Sequence, residues 1–134
     1  MATVSEALGA LNITEWVLRG EPTTEVEFNE MFKKVTGATA DGSAIESSTP
    51  SDFGTTWSAV SAKMTELTNA APMKELRRQR DEKLNETDWW GASDNTMTTA
   101  QTNYRQALRD LPDGASPTWD GTTLGNVTWP SKPA

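Results

Sequence analysis

Apolar residues recur along most of this chain at intervals of three and four, the period of a helix that packs on one side. Val4, Leu8 and Leu11 share a face behind Thr3 and Glu6, which have capping-box spacing. A short helix is expected there, weakened by about 1 kcal/mol at Gly9 relative to Ala. The next stretch, "ITEWVLRGEP", is rich in β-branched and aromatic residues and closes on Gly20 and Pro22, which predicts a short strand near residues 15–19. Thr24 and Glu27 repeat the capping-box spacing. Lys33 and Lys34 suit the negative end of a helix dipole, and Val26, Phe28, Met31, Phe32 and Val35 form an apolar stripe to be buried, so a helix is predicted from Thr24 to a stop at Gly37.

The small, polar run "GATADGSAIESSTPSD" reads as a loop or linker with a short extended piece at residues 44–46. Ser51 or Asp52 can cap the helix that follows. In it Trp57, Val60, Met64, Leu67 and Ala71 step by three and four to make a seam. The spacing fits a two- or three-stranded helical contact, but two heptads are too few to separate a coiled coil from an ordinary core face, so homo-oligomerisation through this seam stays open. Pro72 predicts a kink or break, because proline lacks the amide donor and disfavours helical angles in the residue before it.

Helical periodicity resumes with Met73, Leu76, Arg80, Lys83 and Leu84, a mainly solvated helix with a narrow apolar edge extended by the long basic stems. A last helix is expected from Thr98, boxed with Gln101, with Ala100, Tyr104, Leu108 and Leu111 on one face and Pro112 beyond its end. The remainder, rich in Gly, Pro and Thr, should be irregular, with a short strand at most near residues 126–129. The fold class is mostly α, of α+β type. Several short amphipathic helices, a helical hairpin at about 73–111, minor β structure, a long irregular loop and a C-terminal arm make it up. The organisation read from this pattern is an N-terminal α/β segment at 1–37, a linker at 38–52, a helical region at 53–112 and an extended Pro/Trp arm at 113–134.

Composition narrows what such a chain can do. The net charge of −7 disfavours a broad electrostatic hold on nucleic acid or an anionic membrane. Residues 1–71 carry four Lys or Arg against ten Asp or Glu and residues 72–134 eight against nine, which divides the total into −6 and −1. With no cysteine and no histidine, disulfides, thiolate nucleophiles, the usual zinc sites and imidazole catalysis are all removed. No cofactor and no metal is expected. The N-terminus lacks a basic leader followed by an apolar core, and no apolar run is long enough to span a bilayer, so the expected location is a cytoplasm.

Six tryptophans in so polar a chain need an explanation. Trp16, Trp57, Trp89 and Trp90 can clip helices and loops together, since each ring buries about 150–250 Å². Others can serve as exposed anchors for another protein, and Trp119 and Trp129, in a tail with little else to fold it, suit that role. Trp89 and Trp90 are expected to fold back on Tyr104 and Leu108 and close the hairpin. The carboxylates of "DWWGASDN" and "RDLPDG" suit helix caps and turns better than a catalytic pair. Arg77, Arg78 and Arg80 are interleaved with Asp81 and Glu82, the pattern of a solvated face.

Residues 77–133 carry a recognisable order: "RRQRDEKLNETDWW", then Asp94, "MTTAQTNYRQALRDLP" and a closing "VTWPSKP". This resembles the C-terminal region of the bacteriophage tail assembly chaperones, or tail fibre assembly proteins. The matching positions are Arg80, Asp81, Leu84, Thr87, Asp88, Trp89, Tyr104, Arg105, Leu108, Arg109, Asp110, Trp129, Pro130, Lys132 and Pro133. The insert "DGASPTWDGTTLGN" departs from the family pattern, and the N-terminal half resembles leaders of small proteins from T4-like marine phages. The resemblance implies a non-catalytic protein that helps to build or complete a phage tail in the host cytoplasm. Its implied partner is a tail or tail-fibre structural protein; joined with the anchor reading of the tryptophans, the expected partner-binding residues are Trp89, Trp90, Tyr104, Arg105, Trp119, Trp129, Pro130, Lys132 and Pro133. The alternative is a minor structural subunit kept in the virion tail, at the baseplate or a fibre joint.

Overall fold

The computed structural model describes residues 1–134 and divides into two units, Met1–Asn69 and Ala70–Ala134. In the first unit, Thr3 caps helix α1 (Val4–Ala10) with the expected reciprocal box to Glu6, and strand β1 (Trp16–Leu18) follows. Helix α2 (Glu25–Met31) begins at Thr24, whose hydroxyl accepts from the Glu27 amide, while the Glu27 carboxylate reaches past the cap to the amide of Thr23.

The predicted continuation of this helix to Gly37 is wrong. Phe32 is already extended, and Phe32–Ala38 form strand β2. The stripe that suggested a helix is shared between the two elements: Phe28 leaves α2 and Phe32 leaves β2, and both are fully buried, whereas Val26 is 68% exposed. The strand wins because β2 has a partner on each side. It pairs antiparallel with β1, Leu18 opposite Phe32 and Trp16 opposite Lys34, and with β3 (Ala44–Ser47) across a bulge between Val35 and Gly37. β1 comes from beyond α2 and β3 through the tight turn at residues 39–43, and the periodicity within β2 itself reports neither pairing. The expected linker at 38–52 therefore contains a sheet strand and a 3₁₀ turn, Pro50–Asp52. Gly20 is needed where it stands: its φ is +131°, and a Cβ there would meet Met31 Sδ at 2.9 Å.

The core of this unit is Val4, Ala7, Leu8, Phe28, Phe32, Phe53 and Val60, with Trp16, Trp57 and Met64 around it. Phe28 and Phe32 stack at 4.9 Å between ring centres, and Phe53 meets Phe32 edge-on at 4.7 Å. Trp57, Val60 and Met64 thus spend the helical seam inside their own unit, and Leu67 is half-buried.

Helix α3 (Trp57–Thr87) is 31 residues long and runs through Pro72 without a break. Its N-terminus is capped by Thr56, whose hydroxyl accepts from the Ala59 amide, and not by Ser51 or Asp52. A proline inside a helix costs about 3 kcal/mol, through one lost hydrogen bond and a clash one turn back. The helix persists because side chains on either side of the proline are held by packing: Val60 and Leu76 are both fully buried. The boundary between units, after Asn69, falls close to this weak point.

In the second unit, α3 leads into a 3₁₀ turn, Asp88–Gly91, and then to helix α4 (Thr99–Asp110), opened by the expected box of Thr98 and Gln101. Leu108 and Tyr104 are buried on its inner face. The tail is less irregular than expected. A small hairpin pairs β4 (Thr118–Trp119) with β5 (Leu124–Gly125), while Asn126, placed in the predicted strand, has a φ of 57° that ends the pairing.

Candidate functional site

Of the residues that carry the family resemblance, Leu84, Thr87, Asp88, Tyr104, Arg105, Leu108 and Trp129 meet around the hairpin of α3 and α4. A 3₁₀ turn rotates the chain by about 120° per residue, so two adjacent side chains in it cannot face the same neighbour. Trp89 and Trp90 occupy such a turn, and they diverge: Trp90 is 5% exposed and Trp89 62%. Their rings meet edge to face at 6.2 Å. Trp90 lies 6.0 Å from the Tyr104 ring and joins Leu108, Leu84, Met97 and Trp129 in the second core. Of the two rings expected to close the hairpin, only Trp90 does so.

A polar clasp holds the same turn. Arg105 Nη1 donates to the Leu84 carbonyl at 2.8 Å and to Thr87 Oγ1 at 2.6 Å, and Nη2 donates to Asp88 at 2.7 Å. The Thr87 hydroxyl, fully buried, lies 3.2 Å from the Lys83 and Leu84 carbonyls. The end of α3 has carbonyls without helical partners and the negative pole of the dipole, so a guanidinium there is stabilised twice. The Arg105 side chain is 12% exposed and thus largely shielded from water. Burial raises the Tyr104 phenol above its ordinary pKa, and the Glu86 carboxylate adds to the effect.

The C-terminal arm packs back on this hairpin, Trp129 against the cluster of Trp90, Tyr104 and Leu108. Lys83 Nζ stands 5.0 Å from the centre of the Trp129 ring, and Lys132 approaches Glu86 at 3.6 Å. Pro130 and Pro133 are half-buried, as is Trp119 on β4. On α3, Arg78 pairs with Glu75 at 2.6 Å and Glu82 at 2.5 Å, and Arg80 pairs with Asp81 at 2.8 Å, the solvated network that the interleaved charges predict.

The residues expected to meet a partner therefore fall into three sets. Trp90, Tyr104 and Arg105 are internal, occupied in closing the hairpin, because each can be satisfied there by aromatic contact or hydrogen bonds. Trp119, Trp129, Pro130, Lys132 and Pro133 lie in the second unit's hairpin and arm with part of their surface in solvent. Trp89 alone among the tryptophans is broadly exposed. Lys83 and Glu86, one helical turn apart beside Leu84 and Thr87, were missed as the seat of the arm. Their signal was the opposite charges on one face, matched by the Trp and Lys three residues apart in the tail.

The site is a hairpin tied by a cation, with one indole turned outward. Residues 73–134 match the family model described as phage tail assembly chaperone protein. The match starts immediately after Pro72 and covers nearly all of the second unit. No curated protein and no solved structure matches the chain. The first unit lies outside the family match, and the supposed likeness of its sequence to marine phage leaders gains no support.

Proposed function

We propose that this protein is a bacteriophage tail or tail-fibre assembly factor that acts in the host cytoplasm, binds a tail structural protein through aromatic anchors and makes or breaks no covalent bond. The observation that carries the reading is Trp89, 62% exposed on a turn fixed from behind by Trp90 and Arg105. A large ring held out by a preorganised turn loses little freedom on binding, and such rings dominate interface energetics. In the DWWGASDN and RDLPDG stretches, Asp88 accepts from Arg105 and Asp110 from Gln106. No helix is long and apolar enough to cross a membrane.

Copurification from infected cells, with the captured proteins identified by mass spectrometry, tests the reading. Wild-type protein should retain a tail structural protein and Trp89→Ala should lose it with an unchanged circular dichroism spectrum. Equal capture by both would remove Trp89 as the anchor. Mass spectrometry of purified particles separates a departing factor, found in traces or not at all, from a retained subunit present in stoichiometric amount.

A further inference from the structure

Trp129 and Lys132 are held to the hairpin by side chains alone. No hydrogen bond joins residues 127–134 to the rest of the protein; the last is from Asn126 Nδ2 to the Ser116 carbonyl at 2.7 Å. What holds the arm is the partial burial of Trp129 against the Trp90, Tyr104 and Leu108 cluster, the Lys83 contact, and one ion pair between half-exposed side chains, Lys132 at 50% and Glu86 at 60%. Exposed cation–π contacts and surface ion pairs are weak, and salt weakens the ion pair further. At the root of the arm an open depression of about 430 Å³ is lined by Leu111 and Ser116, beyond the end of α4, together with Asn126, Val127 and Thr128.

We infer that residues 126–134 are a displaceable latch. They fill a seat that takes an extended segment of the partner protein with the same chemistry, an aromatic ring followed three residues later by a cation. The seat itself states this chemistry. Leu84 and the aromatic cluster supply an apolar floor, Lys83 lies over the face of the indole, and Glu86 stands where it pairs with a cation at the third residue beyond. Displacement would uncover this surface on the same hairpin that holds Trp89 outward, so the client would gain a second point of attachment. Only the identity of the occupant as a tail protein rests on the function proposed above.

A labelled synthetic peptide of residues 126–134 is the probe, and fluorescence anisotropy with the full-length protein is the readout. In the wild type the built-in arm competes, so the peptide should bind weakly. Trp129→Ala should vacate the seat and tighten peptide binding at least ten-fold. Adding Glu86→Lys should weaken it several-fold, and a peptide carrying Lys132→Glu should recover part of the loss. If Trp129→Ala proves unfolded by circular dichroism, Lys132→Glu opens the latch more gently and should tighten binding two- to five-fold. Equal binding to wild type and variants, or none to any, overturns the latch. A wild-type dimer that Trp129→Ala converts to monomer shows a second copy as the occupant and overturns the client seat. The assay contains no tail protein, so its failure leaves the Trp89 capture result standing, and the converse holds too.

Discussion

The two units use their aromatic residues in opposite ways. In Met1–Asn69, Phe28, Phe32 and Phe53 are fully enclosed, with Trp16 and Trp57 packed around them, and the five rings come from strands, a short helix, a turn and α3. In Ala70–Ala134 one indole, Trp90, is enclosed, two, Trp119 and Trp129, are half-buried, and one, Trp89, stands in water. The first arrangement is a core, stabilised by removing apolar area from solvent. The second encloses few residues and relies on a polar clasp to hold its shape, which leaves aromatic surface for use elsewhere. A small acidic protein can keep a sticky face and remain folded when the two tasks fall to different residues.

That contrast can be broken at either end. The largest effect is expected for Phe32→Ala, which should lower stability by about 3–5 kcal/mol in chemical denaturation, as removal of an enclosed ring does. Trp90→Ala should come next, at about 3 kcal/mol, since its ring keeps a sliver of solvent contact. If Trp90→Ala were neutral, the hairpin would owe its closure to the clasp alone. Arg105→Ala should cost about 2 kcal/mol by stripping the Leu84 carbonyl and the Thr87 hydroxyl of a charged donor, and Arg105→Lys should recover only part, because one ammonium cannot reproduce the fork. Trp89→Ala belongs at the bottom of this order, with a change within about 0.5 kcal/mol, and a large drop in melting temperature would show that the ring is structural after all.

Acid sensitivity sharpens the same comparison. In the first unit the Thr39 hydroxyl and the Ser43 amide hold the Asp41 carboxyl down to about 2, whereas in the second the Arg78 guanidinium, helped by the Gln79 amide, holds Glu75 down to about 2. Both are carboxylates with depressed values, so whatever stability they lend is complete above the ordinary carboxylate range. It is lost as the pH falls from there toward 2. Neutral donors are indifferent to salt and an exposed guanidinium is not. Raising the ionic strength should therefore move the Glu75 titration back toward its ordinary value and leave that of Asp41 in place, as carbon-detected NMR of the two carboxyls would record. Equal salt responses would count against this assignment of causes.

What could be read from the chain alone was whatever depends on near neighbours. The Thr3 and Thr98 boxes, the strand at Trp16–Leu18, the helical face of Tyr104 and Leu108, and the ion pair of Arg78 with Glu82 all involve residues a few positions apart, and all are present. The family order in the C-terminal region was legible too, because it is a matter of spacing. Tertiary structure decided the rest. Phe32 became a strand residue because β1 and β3 lie on either side of β2; α3 crossed Pro72 because Val60 and Leu76 are packed on either side of it. Trp89 and Trp90, identical and adjacent, were assigned outside and inside by the pitch of one turn and by the helix that closes over it. Local spacing fixes which backbone states are cheap, but the choice between them is made by partners that the chain meets only when it folds.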